Sequence, residues 1–265
     1  MITLQEGGNA IPDSNPVNKE DVAGIVNQVK KLLPPALLGG LHTNIGSAGF
    51  KLASGDIDVM VEAEDVVALF KTQDSKDPVK DAKKMLGAYF SAKDTQVKLN
   101  GRNVSIGVKY TEAATKQLKL AQVDVMVIND AAIVAPYHQH GPRGMYSDPG
   151  FKGASVFILV NSISKALGLK FDAFGGKLLR RDTEQVVART RDEVANVLFN
   201  AKALGRKPTG DDLNSVNTVI TALANDPARE AKLAQARDDQ AKGLITLPES
   251  IGSAAWFRKL SDSIL

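Results

Sequence analysis

GSAGFKLASGDIDVMV, the stretch from Gly46 to Val61, decides the fold that we expect for this chain. It opens with a glycine-serine pair and places Asp56 and Asp58 at the start of an apolar run. Because residues i and i+2 of a β-strand point to the same face, the pattern predicts two carboxylates side by side. Such carboxylates repel each other unless a cation lies between them, and Mg²⁺ binds oxygen ligands together with substrate phosphates. The stretch therefore predicts a metal site for phosphoryl chemistry, with a solvated turn that enters a strand as the alternative.

A third carboxylate lies in a second apolar run, VDVMVI, from Val123 to Ile128. Burial of Asp124 inside such a strand is costly unless the acid is paired or binds a metal. If the two strands are neighbours, three carboxylates meet at one edge of the sheet and can hold two metal ions, an arrangement that assists in-line phosphoryl displacement. We therefore predict Asp56, Asp58 and Asp124 as catalytic residues and metal ligands, with Mg²⁺ or Mn²⁺ as the cofactor.

These residues give the chain a resemblance to the nucleotidyltransferase superfamily of the DNA polymerase beta type, with its family X-like palm. The signature of that family is a Gly-Ser turn, an Asp-hydrophobic-Asp strand and a third Asp on a later strand. The resemblance continues in GFKGASVF, residues 150–157, which looks like the loop that precedes the helix flanking the incoming nucleotide. It extends over residues 37–204, and the three acids are its specific part.

The resemblance implies a metal-dependent nucleotidyltransferase. Such an enzyme transfers a nucleoside monophosphate from a nucleoside triphosphate to a hydroxyl acceptor, for which DNA and RNA are candidates, and releases pyrophosphate. The resemblance assigns Ser47 to the triphosphate, and the preceding Gly46, also predicted to bind the nucleotide, lets the backbone approach a ligand closely. Lys51 is the cation of the same loop, unless it is an ordinary surface lysine. Phe151 and Gly153 would lie against the nucleotide.

Two alternatives remain open. One is a catalytically silent nucleotidyltransferase-like module that binds nucleotide or acts as a structural or interaction protein, although the presence of all three acids argues against such decay. The other is a template-independent enzyme that modifies RNA, protein or a small molecule. The acceptor would then be defined by the irregular stretch 136–150 and by the C-terminal segment around Trp256.

The composition excludes several other classes of protein. The chain has no cysteine, which removes disulfides, thiolate metal sites and cysteine nucleophiles. Its net charge of +3 tolerates a polyanionic partner without demonstrating one. No apolar run reaches the roughly 18 residues of a membrane span, and the N-terminus lacks a secretory apolar segment. We therefore expect a soluble cytoplasmic protein with no membrane partner.

The expected fold class is α/β, or α+β. It consists of a nucleotidyltransferase-like mixed sheet with flanking helices and a second α-rich subdomain. An N-terminal arm, residues 1–17, would precede the palm-like catalytic domain, residues 18–135. A nucleotide-closing subdomain with a hairpin, residues 136–205, would follow. The pattern break GRKPTG, which starts at Gly205, places the last boundary before a C-terminal helical region, residues 206–265.

Overall fold

The computed structural model of the chain describes residues 10–70, 75–139 and 153–242. It has a mixed α/β architecture with a mixed sheet and flanking helices, which confirms the predicted fold class. The chain divides into two compact units, Met1–Ala135 and Pro136–Leu265. Within the described residues, no helix is both long and apolar enough to cross a membrane.

The first unit contains a five-stranded mixed sheet. Its strands are β2 (His42–Ile45), β4 (Ile57–Glu62), β5 (Val97–Asn100), β6 (Asn103–Thr111) and β7 (Leu118–Ile128). Their order across the sheet is β2-β4-β7-β6-β5. β4 and β7 run parallel, and the other neighbouring pairs are antiparallel. Two short strands, β1 (Val17–Asn18) and β3 (Ala53–Ser54), pair with each other separately.

Three helices cover one face of this sheet: α1 (Lys19–Leu32), α2 (Ala63–Leu69) and α3 (Pro78–Ser91). A 3-10 helix, Pro35–Gly40, follows α1. At the start of α3 the Asp77 carboxylate accepts a hydrogen bond from the backbone N–H of Lys80, which satisfies a free helix donor. The helices and the sheet share one buried core, which includes Ile25, Val29, Leu86, Phe90, Val59, Val61, Val123 and Val125. Since strand residues alternate between faces, Asp58 and Asp124 belong to the opposite face.

A fourth helix, α4 (Ala131–His138), packs on part of that opposite face. Its first residues form a small core with strand residues, and the members are Ile45, Met60, Met126, Ile128, Ala131, Val134 and Ala135. We expected an irregular stretch from residue 136, but the helix continues through Pro136 to His138. The rest of that stretch, residues 140–152, lies outside the described residues.

From residue 153 to residue 242, the described part of the second unit combines helical segments with a small antiparallel sheet. The helices are α5 (Gly153–Ala166), α6 (Arg191–Leu198), α7 (Ala201–Leu204), a 3-10 helix (Gly210–Leu213), α8 (Val216–Ala222) and α9 (Arg229–Ala241). The strands are β8 (Leu169–Asp172), β9 (Lys177–Arg180) and β10 (Val186–Ala188), in the order β10-β9-β8. Thr190 and Glu193 form a capping box at the start of α6.

One apolar core runs through the second unit. It contains Val194 and Leu198 from α6 together with Val216 and Val219 from α8. Residues on both sides of position 206, where we expected a separate helical region to begin, therefore bury their side chains together. The break at GRKPTG corresponds to a turn, in which Gly205 has a φ of +68°.

The end of the expected N-terminal arm belongs to the first unit. Ile11 and Val17 are buried, with 3% and 0% of their surface exposed. The backbone N–H of Asn15 donates to the carbonyl oxygen of Leu120 on β7, with 2.8 Å between the two atoms. The described part of the arm is therefore packed rather than loose, because its apolar side chains and backbone groups find partners on the sheet.

Candidate active site

Asp58 and Asp124 stand directly opposite each other on β4 and β7. The two strands are parallel neighbours, and their register pairs Asp58 with Asp124 and Val59 with Val125. Paired residues of neighbouring strands share a face of the sheet, so both carboxylates lie on the face opposite the main helical core. Asp124 is buried, with 8% of its surface exposed, and Asp58 is half-buried. The expected juxtaposition of the two strands is therefore observed.

Asp56 lies just before the first residue of β4, which begins at Ile57. The sequence pattern suggested that strand alternation places Asp56 beside Asp58. Because Asp56 precedes the strand, alternation does not set its position. Its charge nevertheless acts on the same group. Burial raises the pKa of Asp58 well above its usual value, and the charges of Asp56 and Asp124 raise it further. Negative charge is therefore concentrated around the Asp58 carboxylate, which burial partly desolvates.

The Gly-Ser turn lies against this carboxylate pair. β2 runs antiparallel to β4, with Ile45 opposite Asp58, and Gly46 follows β2 directly. Gly46 has a φ of +70°, and a Cβ atom at this position would lie 2.0 Å from Oδ2 of Asp58. Only glycine combines this backbone conformation with so close an approach. The sequence led us to expect a close approach of Gly46 to a ligand, and the structure shows one to Asp58.

Ser47 and Lys51 belong to the same turn. The backbone N–H of Lys51 donates to the carbonyl oxygen of Ser47 over 3.1 Å. The Ser47 hydroxyl oxygen lies 3.3 Å from that of Ser54 on β3. Ser47 and Lys51, which we predict to bind the triphosphate, therefore belong to the loop that begins at Gly46, beside Asp58. Their assignment to a triphosphate remains a prediction.

Two amide side chains hold Asp124, and neither was among the predicted site residues. Gln122 Nε2 donates to Oδ1 of Asp124 over 2.9 Å, and Asn103 Nδ2 donates to Oδ2 over 3.0 Å. Ser105 is the register partner of Asp124 on β6. Its hydroxyl is buried, and no hydrogen-bond partner lies within reach among the described residues. Gln122 could have been found from its i−2 spacing to Asp124, whereas Asn103 and Ser105 require the register of the β6–β7 hairpin.

The remaining predicted site residues lie elsewhere in the chain. Gly153 is the first residue of α5, in the second unit. Phe151 lies outside the described residues. The structure therefore brings Gly46 and Ser47 together with the carboxylates, and it leaves the roles of Gly153 and Phe151 as predictions.

The donor chemistry of the site fits a divalent cation. Asp56, Asp58 and Asp124 offer carboxylate oxygens, and the charges of Asp56 and Asp124 raise the pKa of Asp58. The buried Ser105 hydroxyl has no hydrogen-bond partner among the described residues. However, within residues 10–70, 75–139 and 153–242, no three His, Cys, Asp or Glu side chains are arranged as a ready metal-binding group. The pairing of Asp58 with Asp124 is thus the established part of the site.

Comparison with known proteins gives similarity at the level of structure alone. Neither a protein-family model nor a curated protein matches the chain. It is similar to Leishmania infantum polymerase beta in a ternary gap complex, at 14% identity and a TM-score of 0.41, over 64% of this chain and 52% of that one. It is also similar to the same polymerase in a ternary P/T complex, at 14% identity and a TM-score of 0.47, over 76% and 77% of the two chains. The chain spans about half the length of the first of these structures, and likeness at this level carries no inference about activity.

Proposed function

We propose that the chain is a metal-dependent nucleotidyltransferase. It transfers a nucleoside monophosphate from a nucleoside triphosphate to a hydroxyl acceptor and releases pyrophosphate, with Mg²⁺ or Mn²⁺ as the cofactor. DNA and RNA are the candidate acceptors. The observation that carries the proposal is the pairing of Asp58 and Asp124 on neighbouring parallel strands, in a place where the charge of Asp58 is destabilised.

In the proposed reaction the acceptor oxygen forms a bond with the α-phosphorus, and the bond from that phosphorus to the pyrophosphate oxygen breaks. Asp56, Asp58 and Asp124 would hold the divalent ions. When bound, these ions lower the pKa of the acceptor hydroxyl and neutralise phosphate charge. Asp124 would accept the proton of the acceptor hydroxyl, and Gln122 keeps its carboxylate in one orientation.

The Gly-Ser turn would hold the leaving part of the nucleotide. Ser47 offers a hydroxyl and a backbone N–H for the triphosphate, and the Lys51 ammonium supplies a positive charge from the same loop. Gly153 and Phe151 would lie against the nucleotide. In this division of roles the residues position the substrates and neutralise charge, and no covalent nucleophile is needed. The absence of cysteine from the chain agrees with such a reaction.

The test is incorporation of label from each radiolabelled nucleoside triphosphate, with Mg²⁺ or Mn²⁺ and with an oligonucleotide, tRNA or no added acceptor. We expect incorporation by the wild type, and a loss of about 100-fold or more in Asp124→Ala, the scale on which single electrostatic groups act in catalysis. Asp65→Ala, which removes an exposed aspartate of α2, is the matched control and should retain activity. Equal incorporation by Asp124→Ala and the control would contradict the proposal.

A catalytically silent nucleotide-binding module is the second candidate. It is favoured by the observation that, in the described part of the chain, three metal-ligating side chains do not stand together in a ready group. Equilibrium binding of a nucleoside triphosphate without incorporation into any acceptor would select this alternative. Binding that survives in Asp58→Asn would strengthen that conclusion, because the silent module does not need the charge of this carboxylate.

A further inference from the structure

Gln122 connects the N-terminal segment to the predicted general base. Its side-chain oxygen accepts hydrogen bonds from the backbone N–H groups of Ala10 and Ile11, over 2.8 and 3.1 Å. Its side-chain nitrogen donates to Oδ1 of Asp124 over 2.9 Å. Gln122 is buried, with 2% of its surface exposed. One side chain therefore bonds both to the segment and to the carboxylate.

The orientation of the Gln122 amide has no freedom in this arrangement. Two backbone N–H groups require an acceptor, so the oxygen of the amide must face Ala10 and Ile11. The NH₂ group must then face Asp124, whose ionised carboxylate can only accept. Because both ends are satisfied at once, a rotation of the amide would break hydrogen bonds at both ends, and each buried unpaired group would carry a desolvation cost.

The segment itself is seated on β7. β4 pairs with β7 only from Val123 onward, so in the described part of the chain no strand pairs with the preceding residues of β7 on that side. Asn15 occupies this edge: its backbone N–H donates to the Leu120 carbonyl oxygen, and its side-chain oxygen accepts from the Leu120 N–H, over 2.8 and 3.4 Å. Ile11 is buried as well. Asn15 thus anchors the segment of residues 10–15 at the edge of β7.

We propose that Gln122 is a positioning residue that couples the seating of residues 10–15 to the orientation of Asp124. This inference rests on the proposed function. A docked segment fixes the Gln122 oxygen, the Gln122 nitrogen then fixes Oδ1 of Asp124, and the carboxylate presents its remaining lone pairs to the cation. A displaced segment leaves the amide free to turn and Asp124 held by Asn103 alone. Partners of this kind, which orient a metal ligand, typically change metal affinity by about 10- to 100-fold.

Because energetic coupling between two sites is reciprocal, the wild type provides the first test. Hydrogen exchange of peptides that cover residues 10–15, 57–62 and 118–128 is compared without and with saturating Mg²⁺. We expect slower exchange in all three peptides. Protection of 57–62 and 118–128 with no change in 10–15 overturns the coupling while the metal site survives. No response in any peptide, combined with no incorporation of nucleotide, overturns the proposed function itself.

Variants test the two ends of Gln122 separately, with Mn²⁺ affinity as the readout. Gln122→Met keeps the length of the side chain and removes both the acceptor oxygen and the donor nitrogen of the amide. We expect about 10-fold weaker Mn²⁺ binding. Ala10→Pro removes the backbone N–H that donates to the Gln122 oxygen, at the end of the connection away from Asp124. It should weaken Mn²⁺ binding about fivefold, which corresponds to the free energy of one hydrogen bond. Ala10→Ser, which keeps that N–H, and Gln117→Leu, at an exposed glutamine just before β7, are the controls.

A structural role alone predicts a different result. Gln122→Met and Ala10→Pro would then lower the melting temperature and leave the Mn²⁺ affinity and kcat of the folded protein equal to those of the controls. That outcome overturns the inference. If Gln122→Met does not fold, Ala10→Pro and the exchange of the wild-type protein decide the question, since neither alters a buried side chain.

Discussion

The carboxylate of Asp58 lies where a side chain on Gly46 would have to be: a Cβ at Gly46 would stand 2.0 Å from its Oδ2 atom. The glycine of the turn and the second aspartate of the strand therefore share one small volume. The charges of Asp56 and Asp124 act on the same carboxylate, which burial partly desolvates. Several consequences of this crowding can be measured.

Gly46→Ala should displace Asp58 and reduce incorporation of nucleotide by about 100-fold, because electrostatic groups act only when they are well placed. It should also destabilise the protein, through the clash and through the positive φ. Gly168→Ala separates the two causes, since Gly168 has a φ of +71° and the described residues place no atom within 4 Å of the added Cβ. Melting temperatures and incorporation rates of both variants are the measurements. Equal losses of activity in the two variants would show that the contact with Asp58 is unimportant.

Asp58→Asn should raise the melting temperature while it abolishes incorporation. The pKa of Asp58 is raised by burial and by two neighbouring carboxylates, so its charge opposes folding at neutral pH. The neutral amide removes that repulsion and also removes the predicted metal ligand. Thermal melts without divalent cations, together with the incorporation assay, measure both effects. Asp65→Asn, on the exposed side of α2, is the control, and a melting temperature of Asp58→Asn below that of the control would refute the prediction.

Lys232→Met should destabilise the second unit by about 3 kcal/mol, because it leaves the buried Asp226 carboxylate without its cation. Lys232 Nζ bonds Oδ2 of Asp226 and the carbonyl oxygen of Leu198, both over 2.7 Å, and the side chains of the ion pair are buried. The double variant Asp226→Asn, Lys232→Met should recover part of the loss, since no charge then remains unpaired. Urea unfolding gives both values. A double variant that is less stable than Lys232→Met would indicate that Asp226 acts chiefly through its bond to the Ala228 N–H.

His138 should make the protein sensitive to mild acid. Burial lowers the pKa of its ring to about 4, and Nε2 lies 3.1 Å from the Ala173 carbonyl oxygen, to which the neutral ring donates. Since the unfolded chain takes up the proton near pH 6.5, stability is lost as the pH falls toward 4. The expected contribution is about 2 kcal/mol between pH 7 and pH 5. Urea unfolding at these two values measures it.

His138→Phe should remove that part of the pH dependence. Its ring would join Phe157 and Phe174, whose centroids lie 4.8 and 5.2 Å from that of His138. The same substitution at the partly exposed His42 is the matched control for the loss of an imidazole ring. Parallel stability curves for His138→Phe and the wild type between pH 7 and pH 5 would exclude His138 as the source of acid sensitivity.

Local features of the first unit could be predicted from the sequence because their causes are local. The spacing of apolar residues and the Pro34-Pro35 pair account for the extent of α1, and the Asp77-Pro78 pair accounts for the start of α3. The mixed α/β class and the two apolar strands that carry Asp58 and Asp124 were predictable for the same reason. These features depend on neighbours a few residues away in the chain.

The helix through Pro136 and the shared core across position 206 were not predictable in this way. Proline and a Gly-Pro-rich segment usually interrupt structure, but here packing decides. Val134 and Ala135 are buried against the sheet, and residues on both sides of position 206 are buried in one core. The free energy of burial outweighs the weak local preference for a break.

By itself, the sequence of this protein determined the alternation that places acids within apolar strands, the helix starts and the turn glycines, because each depends on a short stretch of backbone. Only the tertiary structure decided that Asp58 stands opposite Asp124, that Gly46 closes on Asp58, and that Gln122 joins the N-terminal segment to Asp124. These relationships depend on the register between strands that are distant in the chain. A shift of one residue in that register would turn the carboxylates to the other face of the sheet.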